Sequence, residues 1–410
     1  MPTYSGSDVL RNDEWILLQI KEGPCSAGCG YCYENAHIRK VLSTAQAAGI
    51  VEPAPLQEMS TIQLSRLAEK YRQQIATEMT VEEVDTIFGL LNQSGITRAG
   101  LIGSEPSSHR YFGEILDSAL AHGLDLLVYT AGLTPKKMVH DVIKFIVLHL
   151  DYGRLDAADT ARRLDSGALP PASYMKEIIS LLSMGKEIHL RVNFSSPDLV
   201  EAKLVRNFFA QVPPELRART RLKYSFSTRV SGDSSVPYET PESLRSNSRL
   251  LLQFVDDLAS QFPEVSMVSE RPLFPCSFDE STWNTYAERG GFLSSCDMEY
   301  TFYPTTGLAL CPPSRNLVTP KSLSTPGDLR THLLELRTFL EEMYRIPSFD
   351  CCQGCALREN LTCQGGCLGY KVGRDSEAPR RAALESVPVT ATDERADCGC
   401  IQDGSAAGIA

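Results

Sequence analysis

From about residue 14 to 270 the chain alternates short apolar, β-branched runs with segments of helical period, the pattern of parallel strands joined by crossover helices. The runs that read as strands are Trp15–Ile20, Ala99–Gly103, Leu124–Thr130, Lys144–Leu150, Ile188–Phe194 and Leu222–Ser227, with Val265–Val268 as a further one. Helical segments lie between them. One, Val81–Asn92, opens with Thr80 and carries Glu83 three residues on, a capping-box spacing that satisfies free amide donors. Residues Gly49–Thr61, with two prolines, read as an excursion between helices. Repeated β-then-α units wind right-handed into a full or partial barrel whose catalytic loops follow the C-terminal ends of the strands. The expected fold class is therefore α/β, a partial (β/α)6-type parallel barrel over residues 1–271. After Pro272, Pro, Gly and Cys take over, and ten of the thirteen cysteines lie between Cys276 and Cys400. This predicts a small Cys-rich extension over 272–400. The stretch from about Asp375 is polar and Ala-rich, and 401–410 reads as a flexible tail.

The formal net charge of −11 argues against nucleic acid as a partner, because phosphate binding needs a dominant basic surface. No run of about 18 apolar residues is present to span a bilayer, so no membrane partner is expected. The N-terminal Met-Pro-Thr-Tyr-Ser-Gly-Ser-Asp lacks the basic start and apolar stretch of a secretory signal. The expected location is the cytoplasm, whose reducing conditions make disulfides the weaker reading for the cysteines. One basic stretch stands out, Arg217, Arg219, Arg221 and Lys223. It reads either as a solvated connector into a strand or as a docking surface for an acidic peptide or electron donor.

Directly after the first strand comes Gly-Pro-Cys-Ser-Ala-Gly-Cys-Gly-Tyr-Cys-Tyr, with Cys25, Cys29 and Cys32 on one short loop. Three thiolates can hold three corners of a 4Fe-4S cube and leave the fourth iron open to a small molecule. The alternative is a zinc knot, which usually needs two Cys-x-x-Cys pairs and here has no nearby fourth ligand. The spacing, with Tyr31 at the aromatic position, resembles the signature of the radical S-adenosylmethionine (SAM) superfamily. The resemblance implies a 4Fe-4S cluster whose open iron chelates the amino and carboxylate groups of SAM. Reductive cleavage then yields a 5′-deoxyadenosyl radical that abstracts hydrogen from unactivated carbon.

Further residues support SAM in that resemblance. Gly103 to Pro106 is similar to the family's Gly-Gly-Glu-Pro motif, with Ser104 in place of the second glycine. Its backbone and the acid of Glu105 would meet the SAM amino group, and small residues let backbone approach a ligand. By itself the tetrapeptide reads equally as a strand-end turn. In Ile188–Phe194 the period of two puts Arg191 and Asn193 on one face. Similar enzymes use polar residues of this strand for the SAM carboxylate and ribose hydroxyls, while the alternative for Arg191 is a barrel salt bridge. His149, Asp151 and Glu270 are other barrel-mouth groups.

The C-terminal cysteines resemble the SPASM extension, which implies two auxiliary 4Fe-4S clusters. One would take Cys276, Cys296, Cys311 and Cys367; the other Cys352, Cys355, Cys363 and either Cys398 or Cys400. The fit has departures: three residues rather than four separate Gly307 from Cys311, and seven rather than five separate Cys355 from Cys363. The wide gap from Cys276 to Cys296 leaves open whether Cys276 is a ligand, and a zinc ribbon on Cys352, Cys355, Cys363 and Cys367 is the competing reading.

Enzymes similar in both halves mostly modify ribosomally made peptides or proteins by crosslinking, epimerisation or oxidation. The resemblance thus implies a radical SAM maturase served by a ferredoxin- or flavodoxin-type electron donor. The alternative is dehydrogenation or epimerisation of a small sugar or aminocyclitol, favoured by the short stretch of about 24 residues before Cys25. A separate leader-binding protein would reconcile that stretch with a peptide substrate. A third reading, a noncatalytic electron carrier, predicts no SAM cleavage.

Overall fold

The computed structural model describes residues 15–22, 34–56, 58–59, 61–71, 78–131, 135–149, 172–194, 200–226, 241–270, 273–278, 281–284, 300–304, 307–311, 318, 321–347, 352, 354–359 and 363–365. Seven strands follow the expected order: β1 (Ile16–Lys21), β2 (Arg98–Gly103), β3 (Asp125–Thr130), β4 (Ile143–His149), β5 (Glu187–Phe194), β6 (Thr220–Phe226) and β7 (Ser266–Ser269). Each pairs in parallel with the next. This singly wound order is that of a β/α barrel. Among the described residues β7 pairs only with β6, so the barrel is partial.

Winding in one direction puts the helices on one face of the sheet. Alternate strand residues, Ile16, Leu18, Ala99, Leu101, Leu126, Val128, Leu190, Leu222 and Tyr224, pack into one core with Phe88 and Leu91 of α3 (Val81–Gln93) and Phe208 and Phe209 of α6 (Val200–Gln211). Burying a Leu, Ile, Val or Phe among these fully contributes about 1.5–3 kcal/mol. The opposite, inner face carries a smaller apolar floor of Leu17, Ile102, Leu127 and Val147, with Trp15, Tyr129 and Phe145 against it. Gly100 makes room there, since a Cβ would lie 2.3 Å from Leu17 Cδ2. Above this floor the inner face is polar. The capping box expected at Thr80 is present, with the Glu83 N–H donating to Thr80 Oγ1 at 3.1 Å and the Thr80 N–H to Glu83 Oε2 at 2.7 Å.

Beyond β7 the chain returns to the other edge of the same sheet. β8 (Tyr300–Tyr303) pairs in parallel with β1, and β9 (Gly307–Ala309) pairs antiparallel with β8. Gly307 has φ +93°, and a Cβ on it would lie 2.1 Å from the Lys321 carbonyl oxygen. A 20-residue helix, Pro326–Arg345, is capped by Thr325 and Asp328 and places Leu329, Leu333, Leu336 and Leu340 in the main core. The Cys-rich region therefore shares both sheet and core with the barrel. No helix among the described residues is long and apolar enough to cross a membrane.

Candidate cofactor site

The three-cysteine loop with Cys25, Cys29, Cys32 and Tyr31 lies outside the described residues, as do Asp151, Cys296, Cys367, Cys398 and Cys400. Its two anchors are described: β1 runs up to Lys21 and Glu22, and α1 (Glu34–Ala47) leaves the loop. What stands at the root of the loop is the Gly103–Pro106 turn. Gly103 has φ +138°, and a Cβ there would sit 2.3 Å from the Lys21 carbonyl oxygen. Only glycine lets β2 cross so close to the end of β1. The next amide, Ser104 N–H, donates to that same Lys21 oxygen at 3.2 Å. Ser104 Oγ is buried and has no hydrogen-bond partner among the described residues.

Glu105 is 2% exposed, and its carboxylate links two strand ends. Oε1 accepts from Ser107 Oγ at 2.5 Å and Thr130 Oγ1 at 2.7 Å, and Oε2 accepts from the Ala131 N–H at 2.9 Å. A buried charge is tolerable only with such partners. Beside it, buried Lys21 donates to Ser108 Oγ at 3.0 Å and pairs with Glu78 at 3.3 Å. His109 completes the brace, with Nε2 donating to the Met79 carbonyl at 3.0 Å and Nδ1 accepting from the Tyr111 N–H at 3.2 Å. Burial holds the His109 pKa below its ordinary value, against the opposing field of Glu78. That neutral tautomer fits both bonds.

Across the inner face, Arg191 Nε pairs with Glu270 Oε2 at 2.5 Å, and its guanidinium carbon lies 5.6 Å from the Tyr129 ring centre. The barrel salt bridge held as the alternative for Arg191 is thus present. His149 stands in register with Arg191. Asn193 stands in register with Ser225, and its side chain lies outside the described residues. One layer below Arg191 is His189, whose pKa burial first, then the fields of Lys223 and Arg221, push down to about 3.

In the C-terminal region Cys352, Cys355 and Cys363 are buried, while Cys276 and Cys311 are half-buried. Burial pushes the Cys363 thiol up; the Gly365 N–H, 3.3 Å from its sulfur, opposes this, and the fields of Cys352 and Cys355 add to it. Cys363 in the field of Cys352 and Cys355 is a thiol that a cation would favour as a thiolate. Even so, among the described residues no three His, Cys, Asp or Glu side chains converge closely enough to hold a metal ion. Arg358 braces this segment by donating to the carbonyls of Tyr344 at 3.2 Å and Arg345 at 2.6 Å.

Lys21, Glu78, His109, Tyr129 and His189 are not singled out by the sequence analysis. Tyr129 and His189 were within reach of it, since the period of two in β3 and β5 puts them on the inner face. Lys21, Glu78 and His109 are distant in sequence and meet only through the fold.

No protein-family model and no curated protein matches the chain. Solved structures do. Streptococcus suis SuiB bound to S-adenosylmethionine aligns with TM-score 0.51 at 14% identity, over 88% of this chain and 76% of SuiB. SuiB bound to precursor peptide SuiA aligns with the same score and identity, over 88% of this chain and 74% of that one. Native anSMEcpe with bound AdoMet aligns with TM-score 0.50 at 12% identity, over 90% of this chain and 98% of anSMEcpe. The chain shares their fold. At these identities the likeness is one of architecture.

Proposed function

We propose that the chain is a radical SAM enzyme that matures a ribosomally made peptide or protein by hydrogen abstraction followed by crosslinking, epimerisation or oxidation. The observation that carries this reading is the Gly103 turn, locked onto the carbonyl of Lys21 at the root of the three-cysteine loop. It sits in a fold shared with SuiB and anSMEcpe, each of which has a solved structure with SAM bound. Cys25, Cys29 and Cys32 would hold a 4Fe-4S cluster, and Gly103, Ser104 and Glu105 would receive SAM beside it. When bound, cluster and SAM together supply a hydrogen-abstracting radical.

The protein's own contribution is placement. Glu105 fixes the turn through its three donors, so the Gly103 and Ser104 backbone faces a ligand without rearranging. Ser104 Oγ, buried and unpartnered among the described residues, is available to the SAM amino group as an acceptor. Tyr129 and Glu270 orient the Arg191 guanidinium on the inner face, the side on which a SAM carboxylate would lie. The apolar floor of Leu17, Ile102, Leu127 and Val147 excludes water beneath. Residues 272–400 would form the auxiliary unit with two further 4Fe-4S clusters; the burial of Cys352, Cys355 and Cys363 within one short segment supports the second ligand set. A peptide substrate is supported by SuiB, whose structure holds precursor peptide SuiA.

The test is anaerobic incubation with SAM, dithionite and a deuterated candidate precursor peptide. The expected product is 5′-deoxyadenosine carrying deuterium. Formation of 5′-deoxyadenosine that never acquires deuterium from any peptide, with transfer instead from a free sugar, would replace the peptide substrate by the sugar one; no 5′-deoxyadenosine at all would remove the SAM reading.

A further inference from the structure

The basic run that the sequence left open divides in two. Arg217 Nε donates to the carbonyls of Phe209 at 3.2 Å and Val212 at 3.0 Å, and its guanidinium lies 5.0 Å from the Phe262 ring centre. Arg219 Nη1 donates to the Leu182 carbonyl at 2.8 Å. These two close the ends of neighbouring helices. Arg221 and Lys223 have another place. Leu222 and Tyr224 point into the core beneath the helices, so the period of two turns Arg221 and Lys223 to the inner face. There they stand in register with His189 and Arg191. Neither has an ion-pair or hydrogen-bond partner among the described residues.

His189, between them and Phe145, is buried, and neither of its ring nitrogens makes a hydrogen bond among the described residues. The Glu187 carboxylate comes no closer than 3.7 Å to Nε2, beyond hydrogen-bond length. A neutral imidazole offers one donor and one acceptor, and leaving both unmade in a buried place is unfavourable unless something else reaches them. Among the described residues β7 is an edge strand, with Ser266 exposed and Val268 half-buried on the same face. Arg191 does not belong to this set, since its Nε faces Glu270.

We propose that Arg221, Lys223 and His189 form a carboxylate subsite on the inner face, which holds an acidic group of the peptide substrate beside the cofactor site. The inference rests on the reading of the chain as a peptide maturase. Two cations supply attraction, and the imidazole supplies a directed donor that fixes the carboxylate's orientation. Placement on the inner wall favours an extended chain or a small molecule over a folded electron carrier.

Equilibrium dialysis of the full-length, anaerobically reconstituted protein against three radiolabelled probes tests this: N-acetyl-Gly-Glu-Gly amide, its Gln counterpart, and N-acetyl-Gly-Gln-Gly free acid. The Glu amide is expected to bind about tenfold tighter than the Gln amide. The double variant Arg221→Gln, Lys223→Gln loses that preference, while Arg221→Lys with Lys223→Arg keeps it. If the free acid shows the preference and the same loss, the carboxylate comes from a peptide C-terminus instead of a side chain, and the subsite stands. Equal binding of all three probes to the wild type, or a preference that survives in the Gln double variant, overturns it. SAM cleavage without peptide, measured in parallel, keeps the two claims apart: its absence in the wild type defeats the maturase reading, whereas cleavage retained in the Gln variant leaves dialysis to judge the subsite.

Discussion

The inner surface is finished differently on its two flanks. On the β1–β3 flank, Lys21, Glu105 and His109 each find partners inside the fold, and Gly103 is pressed against backbone. On the β5–β7 flank, Arg221, Lys223 and His189 stand without hydrogen-bond partners among the described residues. Matched buried charges make a rigid scaffold, which a turn approaching a cofactor needs. Unmatched ones cost stability and are tolerated where a ligand completes them. The first flank should therefore be fragile to substitution, and the second should be tolerant or even improved by it.

The largest effect is expected at Gly103→Ala. The added Cβ meets the Lys21 carbonyl, and φ of +138° is unfavourable for any L side chain, so a loss of about 4 kcal/mol in urea unfolding is expected. Glu105→Ala comes next. It strips Thr130 Oγ1, Ser107 Oγ and the Ala131 N–H of their acceptor, for a loss of about 2–3 kcal/mol by the same measurement.

The third prediction concerns pH. The His189 pKa is about 3 in the folded state and about 6.5 when unfolded, so below pH 6.5 the unfolded chain binds a proton that the folded one excludes. Stability is fully present above pH 6.5 and falls as pH drops toward 3, by up to roughly 1.4 kcal/mol per unit. His109, also held below its ordinary value, acts with the same sign. Urea unfolding at pH 7 and pH 5 should show a smaller drop for His189→Phe than for the wild type; an equal drop would mean that His189 is protonated in the folded state. The smallest effects belong to the basic run. Arg219→Gln should cost about 1 kcal/mol through the lost bond to Leu182, whereas Arg221→Gln and Lys223→Gln should each stay within about 0.5 kcal/mol of wild type or raise stability. A cost for Lys223→Gln equal to that for Arg219→Gln would erase the contrast between the flanks.

The parallel strands were legible because each is a local run: β1 to β7 begin within about two residues of the apolar segments that announced them. The Thr80 box was legible for the same reason, four residues carrying the whole device. β8 and β9 were not, since Tyr300–Tyr303 finds its partner in Ile16–Leu18, at the far end of the sequence. The Pro326–Arg345 helix lies in the stretch read only as a small Cys-rich extension, although Thr325 and Asp328 cap it plainly. In the candidate site, Gly103 and Ser104 were proposed from their motif and Arg191 from strand period. Its pairing with Glu270, and the split of Arg217–Lys223 into helix-closing and inward-facing members, depend on where distant elements pack.

Iron, acid-labile sulfide and zinc per chain, measured after anaerobic reconstitution of the wild type and of a variant with Cys25, Cys29 and Cys32 all changed to Ala, test the central claim most directly. Three four-iron clusters, one of them on the N-terminal loop, predict about twelve irons falling to about eight. An iron content unchanged by the triple substitution would contradict the account at its root.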